Sequence, residues 1–124
     1  MGLLSLPLYV RVSRNQFRLK DVDSGTETTT LASTPFTSTR LLIGQFTAAQ
    51  QALKAGFKDM AAGRLFVPSP TVLMHPVDMV EGGLSEIEER VLKEVAIGAG
   101  AGRVVVWVGE ELSDGEVKEK LRGK

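Results

Sequence analysis

Apolar and polar residues alternate with period two from Leu8. Leu8, Val10 and Val12 share one face, and Tyr9, Arg11 and Ser13 share the other. That pattern predicts a strand with its β-branched residues on the buried side. Arg14-Asn15-Gln16 reads as a tight turn. Phe17, Leu19 and Asp21 then alternate with Arg18, Lys20 and Val22, which predicts a second strand. Asp23-Ser24-Gly25 supplies another turn, with Gly25 free to take positive φ. Glu27 to Ala32 is Thr-rich and suits a third strand exposed on one side. The first quarter of the chain therefore reads as an antiparallel meander.

A Ser/Thr-rich connection, Ser33 to Arg40, surrounds Pro35 and reads as a loop beside the sheet. Leu41-Leu42-Ile43 leads to Phe46-Thr47, where the Thr47 hydroxyl is the expected N-cap of a helix running to about Met60. Ala49, Leu53, Phe57 and Met60 make one apolar stripe on it. Gly56 costs this helix roughly 1 kcal/mol relative to Ala and permits close packing. Thr71 to His75 is a short apolar run closed by Pro76, read as a buried strand, and Val77 to Gly83 is a loop. Ser85 with Glu88 three residues on forms a capping box for a helix to about Gly98, with Leu84, Ile87, Val91, Leu92 and Val95 expected to face the core. Val104 to Val108 is an unbroken apolar run, as in a parallel strand covered on both faces. Ser113 and Glu116 form a second capping box, opening a last helix to about Leu121. The order β-β-β-α-β-α-β-α predicts an α/β domain with a mixed five-stranded sheet. Three antiparallel strands are followed by two α-β units whose strands join parallel to the first, a ribonuclease H-like arrangement spanning residues 1–124 as one domain.

Composition narrows the function classes. Fifteen Lys and Arg balance fifteen Asp and Glu, so no overall field favours nucleic acid or anionic lipid. No cysteine is present, which removes disulfides, thiolate metal sites and cysteine nucleophiles. One histidine, His75, would have to carry any Ser-His-Asp or His-based metal chemistry. No apolar run approaches the roughly 20 residues that span a bilayer. Met1 to Leu8 is apolar but lacks a basic n-region and a small-residue cleavage site, and Leu6 stands where a myristoylation signal wants Ser or Thr. The segment reads as a leader into the first strand, and a cytoplasmic protein is expected.

Several stretches resemble a known family. Pro70-Thr71-Val72-Leu73-Met74-His75-Pro76, then Gly83-Leu84-Ser85-Glu86-Ile87-Glu88-Glu89-Arg90, match an apolar strand ending in Pro and a Gly-Ile-Thr-Glu-Val-Glu-Arg-Arg helix opening. Gly98-Ala99-Gly100-Ala101-Gly102-Arg103-Val104 follows, and Ile43-Gly44-Gln45-Phe46-Thr47 lies upstream. Together they resemble subdomain IA of MreB, the bacterial actin-like family of rod-shape determination, from about Leu8 to Leu112. The resemblance implies an actin-like fold and a cell-shape or cytoskeletal role. The family holds phosphate and metal through an Asp-x-Gly-Thr turn between its first two strands. Here that place reads Val10-Arg11-Val12-Ser13-Arg14-Asn15, without the Asp or the Gly. Bulky side chains there keep backbone amides from cradling a phosphate. Glu86 matches the family's glutamate near the attacking water, but as a plain residue it is an acid favoured in the first turn of a helix.

Other candidate chemistry is thinner. Gly98 to Gly102 follows a helix and precedes a strand, the reverse of a dinucleotide loop, and reads as a C-cap and turn. His75 is a ligand or base only with partners; otherwise it reads as a solvent-rim or hydrogen-bonded histidine. Asp21, Asp23, Asp78 and Glu81 would have to gather for two-metal nuclease chemistry, which also wants an Asp inside the first strand, and Leu8 to Ser13 has none. The charged residues from Glu110 to Arg122 read as a solvated helix end. No catalytic residue, metal site or cofactor is therefore expected. The leading expectation is a non-catalytic, actin-like module acting through a protein partner or self-association. Val77, Met79 and Val80 are the candidate contact residues, though these side chains could equally fold back onto the core. The alternative is a nucleotide-binding protein with a reorganised phosphate loop, using Ser85 and Glu86 at a helix N-terminus as the anion site. A third reading places Met1 to Leu8 against a membrane.

Overall fold

The computed structural model describes residues 5–122. Eight elements follow one another: β1 (Pro7–Ser13), β2 (Gln16–Asp21), β3 (Glu27–Leu31), α1 (Phe46–Ala61), β4 (Thr71–Pro76), α2 (Glu86–Ala99), β5 (Arg103–Val106) and α3 (Asp114–Leu121). The strands form one open sheet in the order β3-β2-β1-β4-β5. β1 pairs antiparallel with β2, and β2 with β3, as the meander predicts. β4 and β5 then add parallel on the other side of β1, Val10 beside Met74 and Leu73 beside Val105. β1 is thus the seam between an antiparallel and a parallel half. The expected mixed five-stranded sheet is present.

Both faces of the sheet are covered, unequally. Leu8, Val10, Val12, Phe17, Leu19, Val72 and Met74 point to one side, where α1 and α2 bury Leu53, Phe57, Leu92, Val95 and Ala96 against them. Tyr9 and Leu73 point to the other, under Leu112, Val117 and Leu121 of α3 and the segment before it. At Gly56 α1 approaches the sheet closely: a Cβ there would lie 2.9 Å from Thr30 Oγ1 and 3.0 Å from Leu19 Cδ1.

Five expectations are corrected. β1 has no exposed face, because α3 and the segment before it pack where the alternation alone suggested solvent: Tyr9 and Arg11 are buried. α1 begins two residues earlier than a Thr47 cap would set it; Gln45 is the N-cap, without a side-chain hydrogen bond, and Thr47 lies exposed inside the first turn. β4 runs one residue past the expected His75, with Pro76 as its last residue. Ile87 is 76% exposed rather than in the core, because the α2 stripe that meets the sheet starts a turn later. β5 stops at Val106 and is an edge strand with half-buried residues, so the Val104 to Val108 run is not covered on both faces. Both capping boxes form as expected, Ser85 with Glu88 and Ser113 with Glu116.

The Ser/Thr-rich connection is pinned by the hairpin it passes. Asn15 sits at φ 58°, in the left-handed region that asparagine tolerates. Its Oδ1 accepts from the amides of Phe36 and Thr37, both at 2.8 Å. Phe36 is thereby set on Phe17, ring centroids 5.0 Å apart.

Candidate functional site

An apolar depression of about 60 Å³ opens between the start of α2 and two loops. Leu41 and Ile43 form one wall, Met79 and Val80 another, and Leu84 and Ile87 the rim. The loop of Met79 and Val80 is held by two local features. Asp78 Oδ2 accepts from the Arg14 amide at 3.0 Å, and Met79 takes φ 58°, a conformation unusual for a side chain of its size. Met79 packs partly onto the main core while also lining the depression, so the two readings of this loop describe different faces of one side chain. Val77 does not join them: it is exposed, outside the depression, and its amide bonds to Val12. Leu41 and Ile43 were visible in the sequence only as an apolar lead-in to α1. Small-molecule sites run about 300–1,000 Å³, so this volume suits one inserted apolar side chain rather than a cofactor.

The β1–β2 turn, where the resemblance would place phosphate, is already occupied. The Arg14 amide donates to Asp78 Oδ2 at 3.0 Å and the Asn15 amide to Thr37 Oγ1 at 2.9 Å. Ser85 and Glu86 are both exposed at the start of α2. The Ser85 hydroxyl accepts from the Glu88 amide at 3.1 Å, and the Glu88 carboxylate accepts from the Ser85 amide at 2.9 Å. With Glu86, Glu88 and Glu89 in the first turn, this helix end satisfies its own positive pole.

His75 is bonded through both ring nitrogens in the interior. It is 2% exposed, which rules out the solvent-rim reading and leaves the hydrogen-bonded one. Its Nε2 lies 2.9 Å from the Gly109 carbonyl and its Nδ1 2.7 Å from the Tyr9 hydroxyl. A carbonyl only accepts, so Nε2 carries the proton and Nδ1 accepts from Tyr9. The Tyr9 oxygen in turn accepts from the Leu112 amide at 3.1 Å. Arg11 lies beside this relay, its guanidinium carbon 4.5 Å above the Tyr9 ring and its terminal nitrogen 3.2 Å from Glu111. Burial is the main force holding the His75 pKa below its ordinary value, and the Arg11 charge adds to it; the Gly109 bond and Glu111 pull the other way. The relay fixes a neutral imidazole between three segments. The Tyr9 hydroxyl beside that base is buried and bonded on both sides, to His75 Nδ1 and to the Leu112 amide.

The carboxylates considered for metal chemistry are dispersed in local roles. Asp21 accepts from the amides of Asp23 and Ser24, Asp23 pairs with Lys118, and Asp78 holds the hairpin turn. Among the described residues, no group of three or more His, Asp or Glu is placed to hold a metal ion. Among them, too, no helix is long and apolar enough to cross a membrane. The membrane reading of the N-terminus rests largely on Met1 to Leu4, which lie outside the described residues.

No protein-family model matches the chain. Among curated proteins it is similar to the uncharacterized protein YjaA of Escherichia coli strain K12, 34% identical over 97 residues. The match covers 74% of this chain and 75% of that protein.

Proposed function

The chain belongs to the family of YjaA, and on that premise we propose that it is a non-catalytic binding module acting through protein contacts at the Leu41–Met79–Ile87 depression. The observation that carries this reading is the exposure of Ile87 on the rim of an apolar depression sized for a side chain. Anchors of that kind, filling small desolvated pockets, supply most of the affinity of protein interfaces. The strand order and its antiparallel-to-parallel change at β1 support a ribonuclease H-like fold of the actin-like kind. With the stretches that resemble MreB, they extend the proposal to a cytoplasmic cell-shape or cytoskeletal role. The nucleotide-binding alternative is weakened by the two hairpin amides already given to Asp78 and Thr37, and by the self-capped start of α2.

Ile87→Asp tests the reading. The residue is exposed, so the melting temperature should hold within a degree or two while self-association, read by light scattering, or binding to a partner weakens at least tenfold. Unchanged association would remove the depression as the contact site. Mg-ATP is the control for the alternative: a ligand at about 100 times its Kd adds about 2.7 kcal/mol to stability. A melting temperature raised by millimolar Mg-ATP would overturn the non-nucleotide reading.

A further inference from the structure

The face of the sheet opposite the depression carries a second feature. Strand register aligns His75 of β4 with Arg11 of β1, Arg11 with Arg18 of β2, and Arg18 with Thr29 of β3. Two arginines directly opposite across an antiparallel pair bring their Cβ atoms to about 4.5–5.5 Å, and like charges so placed repel. α3 covers only the other end of this face, over Tyr9 and Leu73; Arg18 and Thr29 remain exposed. Each arginine is answered by a carboxylate, Glu111 at 3.2 Å from Arg11 and Glu27 at 3.5 Å from Arg18.

The Arg11 arrangement is incomplete as a structural ion pair. The residue is 9% exposed, yet its buried Nε finds no acceptor among the described residues. A buried donor without a partner is a cost that folded proteins usually avoid. Its counter-ion is no fixed fixture either: the Glu111 side chain is 67% exposed, on the loop between β5 and α3.

We propose that Arg11 and Arg18 form a binding site for a phosphoryl group, either free phosphate or the phosphate of a small monoester, with Glu111 as a displaceable stand-in. Two guanidinium forks offer more N–H donors than Glu111 and Glu27 take up with one contact each. A tetrahedral dianion supplies further oxygens and a second charge, and arginine forks match it in geometry. This goes beyond the binding-module reading and stands apart from it, since the depression lies on the opposite side of the sheet.

The experiment is a titration with inorganic phosphate at low ionic strength, following the Arg11 and Arg18 Nε–H resonances of the whole chain. Saturable shifts at both are expected. Glu111→Gln, which removes the competing charge, should tighten binding several-fold. Arg18→Gln, an exposed position that leaves the fold intact, should weaken it about tenfold, as loss of charge-assisted hydrogen bonds implies. Glycerol phosphate separates the two sources: tighter binding than phosphate assigns the site to an ester, weaker binding to the free ion. An equal response to acetate at matched ionic strength would overturn the phosphoryl assignment. Linear, unsaturating shifts shared by Lys20 and Lys118, or no gain in Glu111→Gln, would overturn the site.

Discussion

The Tyr9 phenol and the His75 imidazole lie nearly parallel, 8° between planes and 5.8 Å between centroids, and meet edge to edge through a 2.7 Å hydrogen bond. They stand on adjacent parallel strands, β1 and β4, under the segment that leads into α3. One hydroxyl thus joins the central strand, its parallel neighbour and the chain entering the last helix.

Tyr9→Phe should therefore be costly out of proportion to one atom. It keeps the ring but leaves the Leu112 amide and His75 Nδ1 without partners. Each buried polar group so orphaned costs about 1–3 kcal/mol. Urea unfolding should show a midpoint lowered accordingly, and the α3 amides should exchange faster with solvent.

Stability should fall as the pH drops. Burial, seconded by Arg11, keeps folded His75 neutral at pH values where the unfolded chain already binds a proton. The unfolded state then carries more protons, so stability rises with pH through this range. The contribution is complete above the ordinary histidine pKa of about 6.5 and is lost progressively below it. Urea midpoints from pH 8 to pH 5 should decline, and His75→Gln should flatten the decline between pH 7 and pH 5.5.

The three helix starts should respond differently to loss of a hydroxyl. Ser85→Ala and Ser113→Ala each remove a capping bond and should cost about 0.5–2 kcal/mol. Thr47→Ala removes none and should stay within about 0.5 kcal/mol of the parent. Ser113→Ala carries a second signature. The backbone and side-chain hydrogen bonds of Ser113 hold the Glu116 carboxyl below its ordinary pKa. A carbon-detected titration should show the Glu116 pKa rising in that variant.

Gly56→Ala should destabilise although it favours helix. Alanine gains about 1 kcal/mol of propensity over glycine. Its Cβ, however, would fall 2.9–3.1 Å from Thr30 and Leu19, and overpacking a tight contact costs about 1–3 kcal/mol. A lower melting temperature is the expected net result. A higher one would mean that Leu19 yields freely.

Element order, strand direction and both capping boxes were legible because each rests on local chemistry: period-two alternation, a Ser-x-x-Glu spacing, an apolar run bounded by proline. The second buried face was not. Tyr9 and Arg11 carry polar atoms that alternation assigns to solvent, and only the return of α3 and the segment before it, about a hundred residues later in the chain, covers them. Asn15 was read as part of the hairpin turn, but its hold on Phe36 was not, since a side chain that caps a loop twenty residues away leaves no periodic trace. Of the depression, Met79 and Val80 were found from their apolar loop. Leu41 and Ile43 were seen but assigned no role, and Ile87 was placed in the core by a helical stripe that begins one turn too early. The Arg11–Arg18 pair becomes visible only through register, because alignment of two strands depends on the hairpin between them.

The position of β1 in the sheet has a consequence for the newborn chain. The meander of β1, β2 and β3 can assemble as soon as Leu31 has been made, but β1 then has one side without a neighbour. Its partner on that side ends at Pro76, so the open edge persists for a few seconds at about 5–20 residues per second of synthesis. During that interval Leu8, Val10 and Val12 form an unpaired apolar ribbon, the kind of surface that chaperones engage and that neighbouring nascent chains can capture. Slowing translation between Leu31 and Pro76 would lengthen that exposure, and aggregation in the cell would respond to codon choice in this stretch more than in the final helix.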